Sequence, residues 1–156
     1  VLTPRDSPLR RLAAHPDVRV FEGTSPDAAG VAAAVEAAGK PVAVLVDDAE
    51  LLDTGDPLDG VLRRVVSEGR KSGAGIAYAG TAEALTREPG GWMAEARAER
   101  QGVLLAPQKP AEGDLVGVPV PAALVPAQSR PGHGHVPDPA GTGTLIRITI
   151  PHTALR

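Results

Sequence analysis

The chain has 156 residues, 42% of them hydrophobic, and a formal net charge of −3. This length predicts about one domain with a core of its own, and the mildly acidic total charge gives no electrostatic basis for nucleic-acid binding. The absence of cysteine excludes disulfides and thiolate metal sites, and it fits a cytoplasmic location. No apolar run approaches the ~20 residues of a membrane-spanning helix, and no signal peptide is predicted.

The first third of the chain predicts alternating strands and helices. Ser7-Pro8 and Ser25-Pro26 each combine a favoured N-cap residue with proline at the first helical position. Val18–Phe21 is a predicted strand between them, and the alternation favours a parallel sheet. The chain opens on Val1, without methionine and inside a predicted strand, so we expect this end to be a cut in a longer protein.

The apolar stretch from Pro41 to Val46 predicts a strand buried on both faces, and it ends in Asp47 and Asp48. Ligands bind at the carboxyl ends of central strands in open α/β sheets. One carboxylate there suits a Mg²⁺ ion held through water, and the next can orient an attacking water, as in the Walker B segment of an ATPase. The alternative is that both acids open a loop and cap the following helix.

Asp56-Pro57 opens the clearest helix of the chain, and Gly73 follows its end. Its apolar stripe consists of Leu58, Val61, Leu62, Val65 and Val66. The basic residues off that stripe indicate a solvated face more than a phosphate or nucleic-acid site. A strand over Ile76–Ala79 then leads to Thr81, which should lie on the same sheet edge as Asp47 and can also serve as an N-cap.

The C-terminal part has a different character. A helix is predicted from Trp92 to Gln101 and a short strand over Gly102–Ala106, and proline and glycine dominate from Pro107 onward. Arg130–His135 is predicted to be a tight loop and Thr144–Ile150 a half-exposed edge strand. We therefore divide the chain into an α/β core, residues 1–106, and an extension, residues 107–156.

Several chemistries lack their motifs. His133 and His135 alternate as metal ligands do, but without cysteine or nearby carboxylates they do not predict a metal site. The serine-hydrolase motif G-x-S-x-G and the dinucleotide motif G-x-G-x-x-G are absent. The phosphate-binding Walker A motif G-x-x-x-x-G-K-[ST] is absent too. Asp47 and Asp48 are therefore either unrelated to nucleotide binding or one half of a nucleotide site whose phosphate-binding half is missing.

Taken together, the motifs resemble the C-terminal half of an FtsK/SpoIIIE-type P-loop ATPase domain over roughly residues 1–150. The chain is most similar to the last, often degenerate, domain of actinobacterial multi-domain members, including those similar to the motor ATPase of type VII secretion. The resemblance rests on the ordered motifs Asp47-Asp48, the basic helix after them, Gly73–Ile76, Ala79–Thr81, Gly102–Pro107, Gly113–Gly117 and Pro131–Gly134.

This resemblance implies a RecA-like, three-layer α/β fold with a mostly parallel sheet, N-terminally truncated. It implies that Asp47 binds the Mg²⁺ of Mg-ATP through water, that Asp48 is the catalytic residue that positions water, and that Thr81 lies near the γ-phosphate. ATP would bind only with the missing Walker A segment. The implied partners are neighbouring ATPase domains in a ring and a translocated DNA or secreted protein. The implied location of the parent protein is the inner face of the cell membrane, with no insertion by this chain.

The chain departs from the family pattern at three positions. The family usually has Asp-Glu where this chain has Asp47-Asp48, Ala-Thr-Gln where it has Ala79-Gly80-Thr81, and arginine in the loop where it has His133. Two function classes therefore stay open: an ATPase module, and a non-catalytic docking or regulatory domain that binds a substrate peptide or a neighbouring ATPase domain. A generic α/β domain is a third alternative.

Two expectations concern the isolated chain. Without a phosphate loop it should neither bind ATP at micromolar concentration nor hydrolyse it. Loss of the strand before that loop should leave Val42–Val46 with an unpaired edge, which favours self-association.

Overall fold

A computed structural model describes residues 1–38, 41–53, 55, 57–87, 90–125 and 130–151. They form two compact units, residues 1–81 with 90–96 and residues 82–87 with 97–151. The strands are β1 (Leu2–Thr3), β2 (Phe21–Glu22), β3 (Val42–Val46), β4 (Ala74–Tyr78), β5 (His133–Pro137) and β6 (Leu145–Thr149). The α-helices are α1 (Ala28–Ala37), α2 (Leu58–Ser72), α3 (Ala82–Arg87) and α4 (Gly91–Ala98). None of the described helices has the length and apolar character needed to cross a membrane.

The first unit contains a four-stranded parallel sheet in the order β2-β1-β3-β4, so the chain is an α/β protein as predicted. β3 and β4 are in register along their full length, from Val42 opposite Ala74 to Val46 opposite Tyr78. β1 meets β3 only at Leu2 opposite Val46. The second strand is shorter and begins later than predicted, at Phe21.

One expectation for β3 is corrected and another is met in part. Val44 and Val46 are buried, but Ala43 is exposed and Leu45 half-buried, so the strand is not fully buried on both faces. The expected unpaired edge is found in part: β4 pairs with all of β3, but β1 flanks it only at Leu2 opposite Val46, so Val42–Leu45 have no register partner on the β1 side among the described strands. Since β1 is so short, a groove of about 690 Å³ opens beside residues 42–45 of β3.

Local capping explains where the first helices begin. Ser7 caps a 3₁₀ helix, Pro8–Ala14, by accepting a hydrogen bond from the Leu9 amide, as its sequence predicted. The Ser25-Pro26 prediction was wrong by two residues, because Asp27 caps α1 and accepts from the Ala29 amide. The Ser25 hydroxyl instead donates to Asp53. Gly39 would suit the position just after α1 as a C-terminal capping glycine, but it lies outside the described residues.

α2 follows its predicted apolar stripe. Leu58, Leu62 and Val65 are buried, and Gly73 ends the helix in the left-handed conformation at φ 69°. Asp56, predicted to open this helix, lies outside the described residues. In the same unit Trp92 of α4 is 1% exposed, and its ring meets Tyr78 edge to face at a centroid distance of 5.2 Å. Trp92 is therefore a core anchor.

The second unit holds the antiparallel pair β5–β6, two 3₁₀ helices (Pro110–Leu115 and Ala122–Leu124) and a small core of Leu104, Val116 and Val120. The edge strand near the end of the chain is confirmed as β6.

Two predictions in this unit are corrected. The predicted tight loop is wrong from His133 onward, because that residue begins β5. The predicted strand Gly102–Ala106 is reduced to one bridge between Leu104 and His135. This bridge joins residues on both sides of the predicted boundary at 106, which therefore lies inside the second unit.

Candidate functional site

The candidate site lies at the carboxyl ends of β1 and β3. From β1 the chain moves outward to β2, then returns past β1 to β3 and continues to β4. The direction of travel along the sheet therefore reverses between β1 and β3, and open α/β sheets commonly bind their ligands at such a switch point. Arg5 and Ser7 follow β1, and Asp47 and Asp48 follow β3.

Asp47 is held by the loop that follows β1. The Ser7 hydroxyl donates to Asp47 Oδ2 at 2.5 Å, and Ser7 is only 6% exposed. The Asp47 amide donates to the Leu2 carbonyl at 3.0 Å, which fixes the backbone at the end of β3. Ser7 uses one oxygen of the Asp47 carboxylate, and among the described residues no further side chain bonds to it. The second oxygen is thus open to water or a cation.

Asp48 has a different environment. Its backbone is left-handed, at φ 46° and ψ 52°, a region that aspartate tolerates better than most residues. Arg5 donates Nε to Oδ2 and Nη2 to Oδ1, both at 2.6 Å, so the guanidinium takes both carboxylate oxygens. This hydrogen bonding, together with the charge of Asp48, raises the pKa of Arg5 above its usual value.

The alternative that the two acids open a loop and cap the following helix is right about position and wrong about the capping hydrogen bond. Asp48 occupies the N-cap position of a 3₁₀ helix, Ala49–Leu51, but its side chain makes no capping hydrogen bond. Arg5 has taken that side chain instead.

Thr81 lies at the same sheet edge, after β4. Hydrogen bonds from the Ala79 amide to Val46 and from the Ala49 amide to Ala79 join the ends of β3 and β4. The Thr81 amide donates to Glu50 Oε1 at 3.0 Å. The structure therefore places Thr81, like Asp47, at the carboxyl ends of the strands. Glu50 connects Thr81 to the loop after β3.

Sequence reasoning missed Arg5 and Glu50, and it gave Ser7 a capping role but not its bond to Asp47. Arg5 and Ser7 could have been found from the sequence, because they lie in the segment after the carboxyl end of the first predicted strand. Ligand-binding residues of open α/β sheets lie at such strand ends, which is the reason that Asp47 was selected. No sequence signal marked Glu50, since its role depends on how the loop after β3 turns toward Thr81.

The described residues contain no group of three or more histidine, aspartate or glutamate side chains that could hold a metal ion. Asp47 and Asp48 bond to different partners, Ser7 and Arg5. A protein cage for a cation is thus not formed in this part of the chain. A Mg²⁺ ion that keeps its waters and takes one carboxylate plus substrate phosphates remains compatible with Asp47.

Two polar atoms near this edge are buried and lack a hydrogen-bond partner, Thr3 Oγ1 at the end of β1 and Glu50 Oε2. Thr3 is fully buried, at 0% exposure. Buried polar groups ordinarily find a partner, so a bound water or ligand is the expected one here.

The remaining candidates lie elsewhere. His133 and His135 are on β5 in the second unit, opposite Thr149 and Arg147 of β6. In the first unit, Arg63 of the basic helix donates to Glu95 and also pairs with Asp59, which raises the pKa of Arg63. Because Arg63 is paired with two acids of the same protein, the basic residues of α2 fit a solvent-exposed helix face better than a phosphate or nucleic-acid site.

Comparison of the chain with protein-family models, with curated proteins and with solved structures finds no match. The functional interpretation therefore depends on the residues and their geometry.

Proposed function

We propose that this chain supplies the Walker B half of the nucleotide site in an FtsK/SpoIIIE-type ATPase domain with a RecA-like P-loop fold. The observation that supports this most directly is the position of Asp47 and Asp48, at the carboxyl end of an interior parallel strand and beside the switch point of the sheet. The parent protein would be a ring-forming motor that moves DNA or secreted protein, at the inner face of the cell membrane.

In this proposal each acid has a separate role. Asp47, whose second carboxylate oxygen is open, binds the Mg²⁺ of Mg-ATP through water. Asp48 positions the attacking water and Thr81 lies on the γ-phosphate side of the site. The phosphate loop comes from outside this chain, so ATP binds only when that loop is supplied.

A second candidate, a non-catalytic docking or regulatory domain of the same fold, is favoured by one observation. Arg5 occupies both oxygens of Asp48, the group that would have to orient water. An aspartate held in this way cannot act as a base or position water until the arginine leaves.

Replacing Asp47 by alanine separates the two candidates. In a polypeptide that includes the phosphate loop, Asp47→Ala should weaken Mg-dependent ATP binding by about tenfold or more, as loss of a metal-binding interaction does. Asp17→Ala is the matched control, because the Asp17 side chain is 88% exposed and distant in sequence from this edge. Calorimetric titration with Mg-ATP, with folding checked by circular dichroism, measures both. An unchanged affinity in folded Asp47→Ala would favour the docking domain.

A further inference from the structure

The groove of about 690 Å³ beside residues 42–45 of β3 is almost wholly apolar. The start of the chain, α1 and the segment ahead of β2 line it together with β3. Among the described residues that line it, the only charged ones are Asp17 and Arg19, which have opposite signs. The volume lies within the range of about 300–1,000 Å³ that is typical of ligand-binding pockets. A ligand that fits this groove is therefore apolar and carries little net charge.

The β3 side of the groove also presents main-chain groups that lack partners. The hydrogen-bonding groups of successive residues in a strand point alternately to its two sides. In β3 the Val42 amide donates on the β4 side, whereas the Asp47 amide donates on the β1 side. The amides of Ala43 and Leu45 and the Ala43 carbonyl therefore face the groove. Neither β1 nor any other described segment gives these groups a main-chain partner.

These main-chain groups decide which class of apolar ligand fits. An acyl chain or another hydrocarbon would cover them without offering a partner, and burying an unpaired polar group costs free energy. An extended peptide offers apolar side chains to the groove, and it also offers main-chain donors and acceptors at the spacing of a neighbouring strand. The open part of the β3 edge is thus a template for one more strand.

The opposite wall of the groove determines the form of the occupant. Residues 16–19, which precede β2, line the groove on the side away from β3. A strand in the groove therefore lies between two segments of the protein, in the line of β1. The edge of a second folded copy is joined to the rest of its own sheet and cannot enter such a place, whereas a single extended segment can.

We propose that the groove binds an extended, apolar peptide segment of another protein, which adds to β3 as a strand in the line of β1. Hydrogen bonds to the main chain of Ala43 and Leu45 hold the segment, and the apolar lining selects side chains such as valine and isoleucine. The proposal goes beyond the nucleotide site and does not depend on it. The groove lies beside residues 42–45, whereas Asp47 and Asp48 follow the carboxyl end of β3.

The test uses the 156-residue chain and a blocked synthetic peptide of alternating valine and isoleucine, flanked by lysines that keep it soluble. N-methylation of this peptide removes its main-chain donors and leaves its side chains, so it should weaken binding by about tenfold, the effect of losing one or two hydrogen bonds. Ala34→Glu places a charge in the lining and should weaken binding by about tenfold or more. Ala33→Glu is the matched control, since this neighbouring alanine of α1 is exposed and lies outside the lining.

A direct measurement on the unaltered chain keeps the test independent of the variants' folding. The peptide should slow the hydrogen exchange of the Ala43 and Leu45 amides, followed by NMR. It should change the exchange of the Val42 amide much less, because that amide is already bonded on the β4 side. Unchanged exchange at Ala43 and Leu45 under saturating peptide would overturn the proposal.

Three further outcomes would also overturn it. The first is an N-methylated peptide that binds as tightly as the unmodified one, and the second is an Ala33→Glu variant that loses as much affinity as Ala34→Glu. The third is dodecanoate that binds at least as tightly as the peptide, because a hydrocarbon would then be the better ligand. None of these results depends on the Asp47→Ala titration with Mg-ATP, so either proposal can fail alone.

Discussion

The Ser7 hydroxyl makes two hydrogen bonds that join segments 40 residues apart in sequence, since it donates to Asp47 Oδ2 at 2.5 Å and accepts from the Leu9 amide at 3.1 Å. One side chain thereby caps the 3₁₀ helix after β1 and orients the first acid after β3. The Ser7 side chain thus joins the segment after β1 to the end of β3.

Ser7→Ala should lower the free energy of unfolding by about 1–2 kcal/mol, because it removes an N-cap and leaves Asp47 with one partner fewer. Urea denaturation followed by circular dichroism measures the change. The matched control is Ser67→Ala on α2, where the hydroxyl is exposed and meets a carbonyl only at 3.5 Å. Equal effects of the two substitutions would show that the Ser7 bonds contribute little.

Gly91→Ala should destabilise the first unit by about 2 kcal/mol. Gly91 has φ +74°, and a Cβ there would lie 2.7 Å from Asp59 Oδ1, which also accepts from the Trp92 amide at 2.9 Å. Gly90→Ala is the control, since a Cβ at that position meets nothing within 4 Å. The fluorescence of Trp92, the single tryptophan, reports unfolding in both variants. A Gly90→Ala variant as unstable as Gly91→Ala would contradict the geometry.

Gly113→Ala should destabilise the second unit by more than about 3 kcal/mol, because backbone atoms cannot move aside as a flexible side chain can. A Cβ on Gly113 would lie 2.2 Å from the Val118 carbonyl oxygen and 2.8 Å from the Val120 nitrogen. Gly75→Ala serves as control, since its Cβ would meet no atom within 4 Å. Differential scanning calorimetry should show a lowered transition for Gly113→Ala alone, and an unchanged transition would rule out the close approach.

The elements that sequence predicted well are those specified by local pattern. The stripe of α2 and the apolar run of β3 each carry their own periodicity, and Ser7 and Gly73 carry their own capping chemistry. The position of Asp47 at the end of β3 followed from that run alone. These features need no knowledge of distant residues.

The errors occur where distant pairing decides the structure. β5 begins at His133 because this segment pairs with β6, although glycine on both sides of the histidine favours a loop. The exposure of Ala43 on β3 depends on which helices cover that face, which the sequence of the strand does not specify. Likewise, the pairing of Arg5 with Asp48 spans 43 residues and follows from the adjacency of β1 and β3.

The length of the second acid should limit the rate of hydrolysis. Aspartate at position 48 is one methylene shorter than the glutamate that the proposed ATPase chemistry uses, and misplacement by about 1 Å can cost on the order of 10²-fold in rate. In a polypeptide that supplies the phosphate loop, Asp48→Glu should therefore raise ATP hydrolysis, by up to about 10²-fold.

Asp48→Asn is the control for this substitution, because it keeps the backbone preference and removes the charge that a water-positioning carboxylate needs. Steady-state hydrolysis rates should rank Glu above Asp and Asp above Asn at this position, with folding followed through Trp92 fluorescence. A docking domain would respond to Asp48→Glu through stability alone. If folded Asp47→Ala and Asp48→Glu change neither Mg-ATP affinity nor hydrolysis, the acids at the end of β3 have no part in nucleotide chemistry and the docking domain becomes the better account.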